Sequence, residues 1–77
     1  MKILNYRILL KKELEGGYTV TVPMLPGCVT YGKNIDDAIK MAKEAVELYL
    51  ETLKAHHEII PTEDKILETS VAVEAHA

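Results

Sequence analysis

The single cysteine, Cys28, is the first residue to test for chemistry, because a thiolate is a strong nucleophile. A nucleophilic cysteine needs a neighbouring base and an electropositive environment. Lys33 is the nearest basic residue along the chain, and the spacing places no histidine beside Cys28. We therefore interpret Cys28 as a small buried residue that follows a turn.

Two adjacent histidines, His56 and His57, precede Glu58 and raise the question of a metal site. Neighbouring residues of a helix point about 100° apart, whereas a zinc-binding helix uses histidines at positions i and i+4. The third histidine, His76, lies near the end of the chain, where chain ends are often frayed. The pattern predicts neither a metal site nor a cofactor.

The spacing of the carboxylates indicates structural roles in a helix and not a catalytic site. Metal-dependent nucleases need several acids that converge from strand ends. Asp36 and Asp37 instead suit the first turn of a helix, and other acids fall on one solvated helix face: Glu44, Glu47 and Glu51. The sequence also has no phosphate-binding loop of the Gly-x-x-x-x-Gly-Lys-Ser/Thr type. We predict that the protein is not an enzyme.

Length and charge limit the remaining classes of function. A chain of 77 residues forms one domain, residues 1–77, and its 12 acidic and 9 basic residues give a net charge of −3. Direct binding of nucleic acid needs clustered Lys and Arg, so a basic protein is the better partner. The longest apolar run, 8–10, is far short of the ~18 residues of a membrane span, and no signal peptide is visible. We expect a cytoplasmic protein without membrane contact.

The short chain also predicts self-association. Domains of this size usually need a disulfide, a metal or an oligomer in addition to one core. One cysteine makes no internal disulfide, and no metal site is predicted. We therefore expect a homo-oligomer, a dimer or tetramer, that forms through a sheet edge or through a side of the helix.

Three strands are predicted before the helix. Ile3–Glu13 alternates between an apolar and a mixed face, and Gly16-Gly17 supplies the positive φ of a hairpin turn. In the second strand Tyr18, Val20 and Val22 face inward and Thr19 and Thr21 outward, as in a half-buried antiparallel strand. Pro23 ends this ladder because it lacks an N–H. Pro26-Gly27 then reverses the chain into a third strand, Cys28–Tyr31.

The helix has the clearest signals. Asn34 is a good N-cap, and Asp37 can reach back to the Asn34 N–H. The helix is expected to end between Lys54 and Glu58, before Pro61. Its apolar stripe contains Ile35, Ala38, Ile39, Ala42, Ala45, Val46, Tyr49 and Leu53, and Met41, Leu48 and Leu50 widen it on both sides. Packing on one sheet needs a narrower stripe, so either the helix is sunk in the core or Met41 and Leu48 contact another subunit or partner.

A last strand, Ser70–Ala75, places Val71, Val73 and Ala75 on one face. The predicted class is therefore α+β, a βββαβ two-layer sandwich. A right-handed crossover brings the fourth strand alongside the first. This gives the sheet order 3-2-1-4, with one long helix on one face.

The segment GGYTVTVPMLPGCVTYG, followed by a helix with a capped acidic turn, resembles the HicB family of antitoxins. The resemblance extends over Lys2–Glu51 and more loosely over the tail. It implies a partial ribonuclease H-like fold, and the predicted sheet lacks the acidic centre of an active nuclease. It also implies a partner, a small basic HicA-type toxin that cleaves mRNA and resembles a double-stranded-RNA-binding domain.

The resemblance implies protein binding that covers the toxin's active surface. The residues expected in or beside partner or oligomer interfaces are Pro23, Leu25, Pro26, Gly27, Met41 and Leu48. The alternative for the prolines is that they only brace a turn. Many family members carry an added DNA-binding domain, which the residues after this helix do not resemble. The alternative function is an orphan oligomeric structural or regulatory module with no toxin partner.

Overall fold

The computed structural model describes residues 2–76, which form three strands followed by one helix. They are β1 (Leu9–Lys12), β2 (Tyr18–Thr21), β3 (Val29–Gly32) and α1 (Ile35–Ala55). The strands make one antiparallel sheet in the order β1-β2-β3. The helix lies on one face of the sheet, mainly over β3 and β2. The α+β class, the antiparallel meander and the single long helix are confirmed.

The turn between β1 and β2 depends on its two glycines. Gly16 and Gly17 have φ values of 106° and 77°, a region that other residues rarely adopt. A Cβ at Gly17 would also overlap the side chain of Tyr31. The glycine-pair turn predicted from the sequence is therefore confirmed, and one of its glycines is needed for space as well as for φ.

The core is small, with six buried side chains among the described residues. The predicted alternation of β2 is confirmed, since Val20 is buried beneath α1 whereas Thr21 is exposed. Gly32 lets the helix cross β3 closely, because a Cβ there would overlap the backbone of Ala38. The buried residues form two adjoining clusters, one of Val20, Ala38 and Ala42 and one of Val22, Leu25 and Cys28.

The N-terminal cap of α1 differs in one partner from the prediction. The Asn34 side-chain oxygen accepts a hydrogen bond from the Asp37 N–H at 2.8 Å, as predicted. The Asp37 carboxylate accepts from the N–H of Lys33 at 2.9 Å, not from that of Asn34. The reciprocal cap is therefore one residue wider, because the extended backbone of Asn34 brings the Lys33 N–H to the carboxylate.

The C-terminal end of α1 is a Schellman motif formed by the histidine pair. The Glu58 N–H donates to the Leu53 carbonyl at 2.9 Å, and the His57 N–H donates to the Lys54 carbonyl at 3.1 Å. His57 has a φ of 57°, in the left-handed region where glycine is usual at this position. The helix ends at Ala55, within the predicted interval.

The first strand is shorter than predicted, beginning at Leu9 instead of Ile3. Leu9 pairs with Thr21, so the same register carried two residues further would place Arg7 opposite Pro23. Proline has no N–H for the ladder, and β2 ends at Thr21. The Arg7 N–H donates instead to the Glu63 carboxylate.

The predicted fourth strand and the order 3-2-1-4 are not formed in this chain. Residues 70–75 have no strand conformation, and β1 is an edge strand in the described part of the molecule. Val71 and Val73, predicted to face inward, are 83% and 80% exposed. A strand forms only where its amides and carbonyls bond to those of a neighbouring strand. Alternation of apolar and polar residues is therefore not sufficient by itself.

Candidate protein-binding site

An open apolar groove lies between the loop at residues 23–28 and the second half of α1. Its volume is about 480 Å³, and we call it the loop–helix groove. It is lined by Gly27, Cys28, Val29, Ala45, Leu48, Tyr49, Thr52, Leu53 and Glu58. The groove joins the proline-containing loop to one side of the apolar stripe, two features that sequence reasoning treated separately.

The loop is held rigidly from both sides. Leu25 is fully buried, and its N–H donates to the Val22 carbonyl at 3.0 Å while its carbonyl accepts from Cys28. On the helix side, the Tyr49 hydroxyl donates to the Pro26 carbonyl at 2.8 Å. Sequence reasoning assigned Tyr49 only to the apolar stripe; the available signal was its hydroxyl, which needs a partner when the ring is packed.

Leu48 is the most exposed apolar side chain of α1. It is 65% exposed, whereas only Ala38 and Ala42 of the helix are buried. The helix is therefore not sunk in the core. Glu44 and Glu51 lie four residues before and three residues after Leu48, so their side chains are its neighbours on the helix surface. Leu48 is an apolar contact point inside an acidic rim.

The negative charge of the protein is concentrated in the segment that includes the helix wall of this groove. Residues 44–58 carry four carboxylates and one lysine, a net charge of −3, which equals the net charge of the whole chain. The remaining residues are balanced in sign. A surface of this kind attracts a basic partner and repels phosphate groups.

The structure places the six predicted interface residues at different depths. Gly27 and Leu48 meet in the loop–helix groove, and Pro26 is exposed at its edge. Pro23 is exposed outside the groove, and Leu25 is in the core beneath the loop. Met41 is half-buried and lies two helical turns before Leu48. The exposed members can contact a partner directly, whereas Leu25 supports the loop that carries them.

The cysteine and the first histidine considered for chemistry are held by packing and by a backbone contact. Cys28 is 6% exposed, and burial raises the pKa of its thiol, which keeps it protonated at neutral pH. His56 Nδ1 lies 2.8 Å from the Thr52 carbonyl oxygen at the end of α1. Among residues 2–76, no group of three or more His, Cys, Asp or Glu side chains is placed to hold a metal ion.

A polar cluster joins the segment before β1 to the segment that follows α1. Arg7 Nε donates to Glu63 at 2.6 Å and its Nη1 donates to Glu68 at 3.0 Å, and the Tyr6 hydroxyl donates to the Pro61 carbonyl. The hydrogen bond from Arg7 lowers the pKa of Glu63, and the same bond raises the pKa of Arg7. These charges satisfy one another, so we interpret the cluster as a structural tie.

No helix within residues 2–76 has the length and apolar character required to cross a membrane.

Comparison with known proteins gives one family over nearly the whole chain. Residues 6–76 match the model of the HicB_like antitoxin of bacterial toxin-antitoxin systems. The chain is 48% identical over 67 residues to a UPF0150 protein of Synechocystis sp., covering 87% of this chain and 85% of the relative. It is 43% identical over 61 residues to a UPF0150 protein of Thermoplasma acidophilum, covering 79% and 88%. The matched range includes the sheet, the helix and the described residues that follow the helix.

Proposed function

This chain belongs to the family of HicB-like antitoxins, and from that premise we propose that it binds and neutralises a small basic toxin of the HicA type. The family match over residues 6–76 is the observation that carries the proposal. Neutralisation consists of covering the toxin surface that acts on mRNA. Because the target acts on mRNA, the complex forms in the cytoplasm.

The loop–helix groove is the part of the molecule best suited to hold the toxin. Interfaces are anchored by apolar side chains in the centre and surrounded by a polar rim. Leu48 supplies such an anchor, Val29 and Gly27 extend the apolar surface, and the exposed Glu58 lies on the rim. The clamp between Tyr49 and Pro26 reduces the loop motion that would be lost on binding.

Charge accounts for both recognition and inhibition. A protein that cleaves mRNA binds phosphates through Lys and Arg. The carboxylates of residues 44–58 pair with such a surface and speed the encounter at low salt. Once bound, the acidic rim also repels the phosphate backbone, so the RNA meets a steric and an electrostatic barrier together.

Co-expression tests the proposal. The gene product adjacent to this one is expressed alone and with this chain, and growth and co-purification are measured. We expect growth arrest by the neighbour alone, and rescue together with a stable complex when both are present. If the neighbour shows no toxicity, or if it is toxic and is not rescued, the antitoxin function is wrong for this chain.

Two matched variants test the groove. Leu48→Asp places a charge at the proposed anchor, and Leu14→Asp places the same charge at a fully exposed leucine of the hairpin turn. We expect Leu48→Asp to weaken toxin binding at least tenfold and Leu14→Asp to leave it unchanged, with both variants retaining helical circular dichroism. If the two variants bind the toxin with equal affinity, the toxin binds outside the loop–helix groove.

A further inference from the structure

The single chain has much more surface than a compact protein of its size. Its accessible surface is 6694 Å², against about 4,700 Å² for a compact monomer of this mass. Its radius of gyration is 14.9 Å, against about 11.5 Å for a compact domain of this length. The excess of roughly 2,000 Å² falls within the ~1,000–2,500 Å² that each partner buries in an obligate homodimer. The excess accessible surface of this chain is therefore as large as the area that one protomer of an obligate homodimer buries.

Part of this excess is in residues 69–76, which we call the tail. Val71 and Val73 alternate with Ser70, Ala72 and Glu74, and β-branched residues at alternate positions favour a half-buried strand. Within residues 2–76, the backbone of the tail makes no hydrogen bond to another backbone group. The tail has the sequence of a strand and, in a single chain, no strand beside it.

The free edge of β1 is the acceptor that fits the tail. The Glu13 N–H bonds the Gly17 carbonyl, so the hydrogen-bonding groups of Leu10 and Lys12 point away from β2 under antiparallel alternation. Lys11 lies on the face of β1 opposite Leu10, and Glu74, which alternates with the valines, lies on the same outer face of the added strand. A cross-strand pair of opposite charge stabilises a sheet, whereas a lysine on an edge strand discourages pairing with other chains.

An apolar groove beside β1 can receive the valines of the tail. The helix lies mainly over β3 and β2, which leaves a space of about 400 Å³ between α1 and residues 2–8. We call it the β1-side groove; its apolar lining is Leu4, Tyr6, Ile8, Ile39, Ala42, Val46 and Leu50. A strand added to β1 carries alternate side chains to this inner face. Val71 and Val73 would then be buried against apolar neighbours.

We propose that the tail of one copy pairs with β1 of a second copy, so that the protein is a reciprocal strand-exchanged homodimer. Each protomer supplies one strand and one edge, which is the self-complementary arrangement of a two-fold dimer. The exchange buries the valines, pairs the free edge and puts Glu74 on the same outer face as Lys11 of the second copy. In the single chain the tail backbone is not paired with β1, and Glu68, just before the tail, is paired with Arg7.

Two double variants of the full chain test the dimer. Val71→Asp with Val73→Asp places charges on the face that enters the groove, and Ser70→Asp with Ala72→Asp places the same charges on the opposite face. We expect sedimentation equilibrium to show a wild-type dimer, a dissociation constant at least a hundredfold higher for the valine variant, and a change below threefold for the control. These side chains are exposed in the single chain, so both variants keep the fold. A monomeric wild type, or equal effects of the two variants, would overturn the proposal.

Disulfide trapping identifies which chain supplies the strand. In a Cys28→Ser background, Lys11→Cys chains are mixed with chains carrying Ala72→Cys or Glu74→Cys and oxidised. A disulfide between the two different chains supports exchange. In a chain carrying both cysteines, a bond formed within one monomer would show that the tail closes on its own β1. A stable dimer with no bond at any of these positions would show that another surface holds it. Toxin rescue is a separate readout, so this proposal and the proposed function fail independently.

Discussion

The Tyr49 hydroxyl donates a hydrogen bond to the carbonyl oxygen of Pro26 at 2.8 Å, joining the middle of α1 to the tip of the loop. The two residues are 23 positions apart in the chain. This contact sets the distance between the loop and Leu48, and with it the width of the loop–helix groove. One hydroxyl therefore connects the stability of the loop to the shape of the proposed binding surface.

Removing that hydroxyl by Tyr49→Phe is expected to lower the free energy of unfolding by about 0.5–1.5 kcal/mol, the usual net value of one hydrogen bond. It is also expected to speed amide exchange at Leu25 and Cys28, whose N–H groups are hydrogen-bonded within the loop. Urea unfolding and hydrogen exchange are the measurements. Tyr31→Phe is the control, since its hydroxyl donates to the Gly16 carbonyl at 2.9 Å in the other turn. A variant of Tyr49 that leaves loop exchange unchanged would contradict the clamp.

Replacing His57 by glycine is expected to stabilise the protein. His57 has a φ of 57°, and the left-handed region costs a residue with a Cβ about 1–2 kcal/mol. We expect His57→Gly to raise the free energy of unfolding by about 1 kcal/mol, measured by thermal or urea unfolding. His56→Gly is the matched control, because His56 has a φ of −95° and gains nothing from glycine. Destabilisation by both changes would argue against strain at His57.

Gly32→Ala is expected to destabilise the contact between β3 and α1. The added Cβ would overlap the Ala38 backbone, and overpacking of this kind costs about 1–3 kcal/mol. Gly16→Ala is a useful comparison, because its added methyl group meets open space and only its positive φ of 106° opposes the change. Urea unfolding of both variants separates backbone strain from crowding. A tolerated Gly32→Ala would mean that α1 can shift away from the sheet.

The tie between Arg7 and Glu63 predicts a specific dependence on pH. The hydrogen bond from Arg7 lowers the pKa of Glu63 in the folded protein, below the ~4.3 of an unfolded chain. A carboxyl group with a lowered folded pKa stabilises the fold above its unfolded pKa and loses that effect as pH falls through the folded pKa. The stability difference between wild type and Glu63→Gln should thus be full at pH 7 and shrink below about pH 4.

Urea unfolding from pH 7 to pH 3 measures that difference. Glu15→Gln, at an exposed carboxylate of the hairpin turn, should show no such pH-dependent difference from wild type. A Glu63→Gln difference that stays constant down to pH 3 would mean that the contact with Arg7 does not favour the charged carboxyl.

Some features of this protein follow from local sequence. The alternation of Val20 and Val22, the positive φ of Gly16-Gly17 and the cap at Asn34 each depend on residues only a few positions apart. For such features, the residue types and their spacing are sufficient to predict the local backbone conformation. The helix and the β2–β3 meander were predicted for that reason, as was the burial of Cys28.

Other features depend on residues that are far apart in the chain. The alternation of residues 3–8 predicts a strand, but the register extended from Leu9 and Thr21 would place Pro23 opposite Arg7, where it cannot continue the ladder. The alternation of Val71 and Val73 predicts a strand in the same way, and none of the three strands found in residues 2–76 lies beside it.

The helix shows most clearly what the sequence determined and what the tertiary structure decided. Its sequence established a capped amphipathic helix with an apolar stripe wider than one sheet needs. Only the packing decided that Ala38 and Ala42 are buried, that Tyr49 clamps the loop and that Leu48 is exposed. The physical reason is that helical periodicity records which residues share a face, whereas the position of the helix over β3 and β2 decides which part of that face is covered.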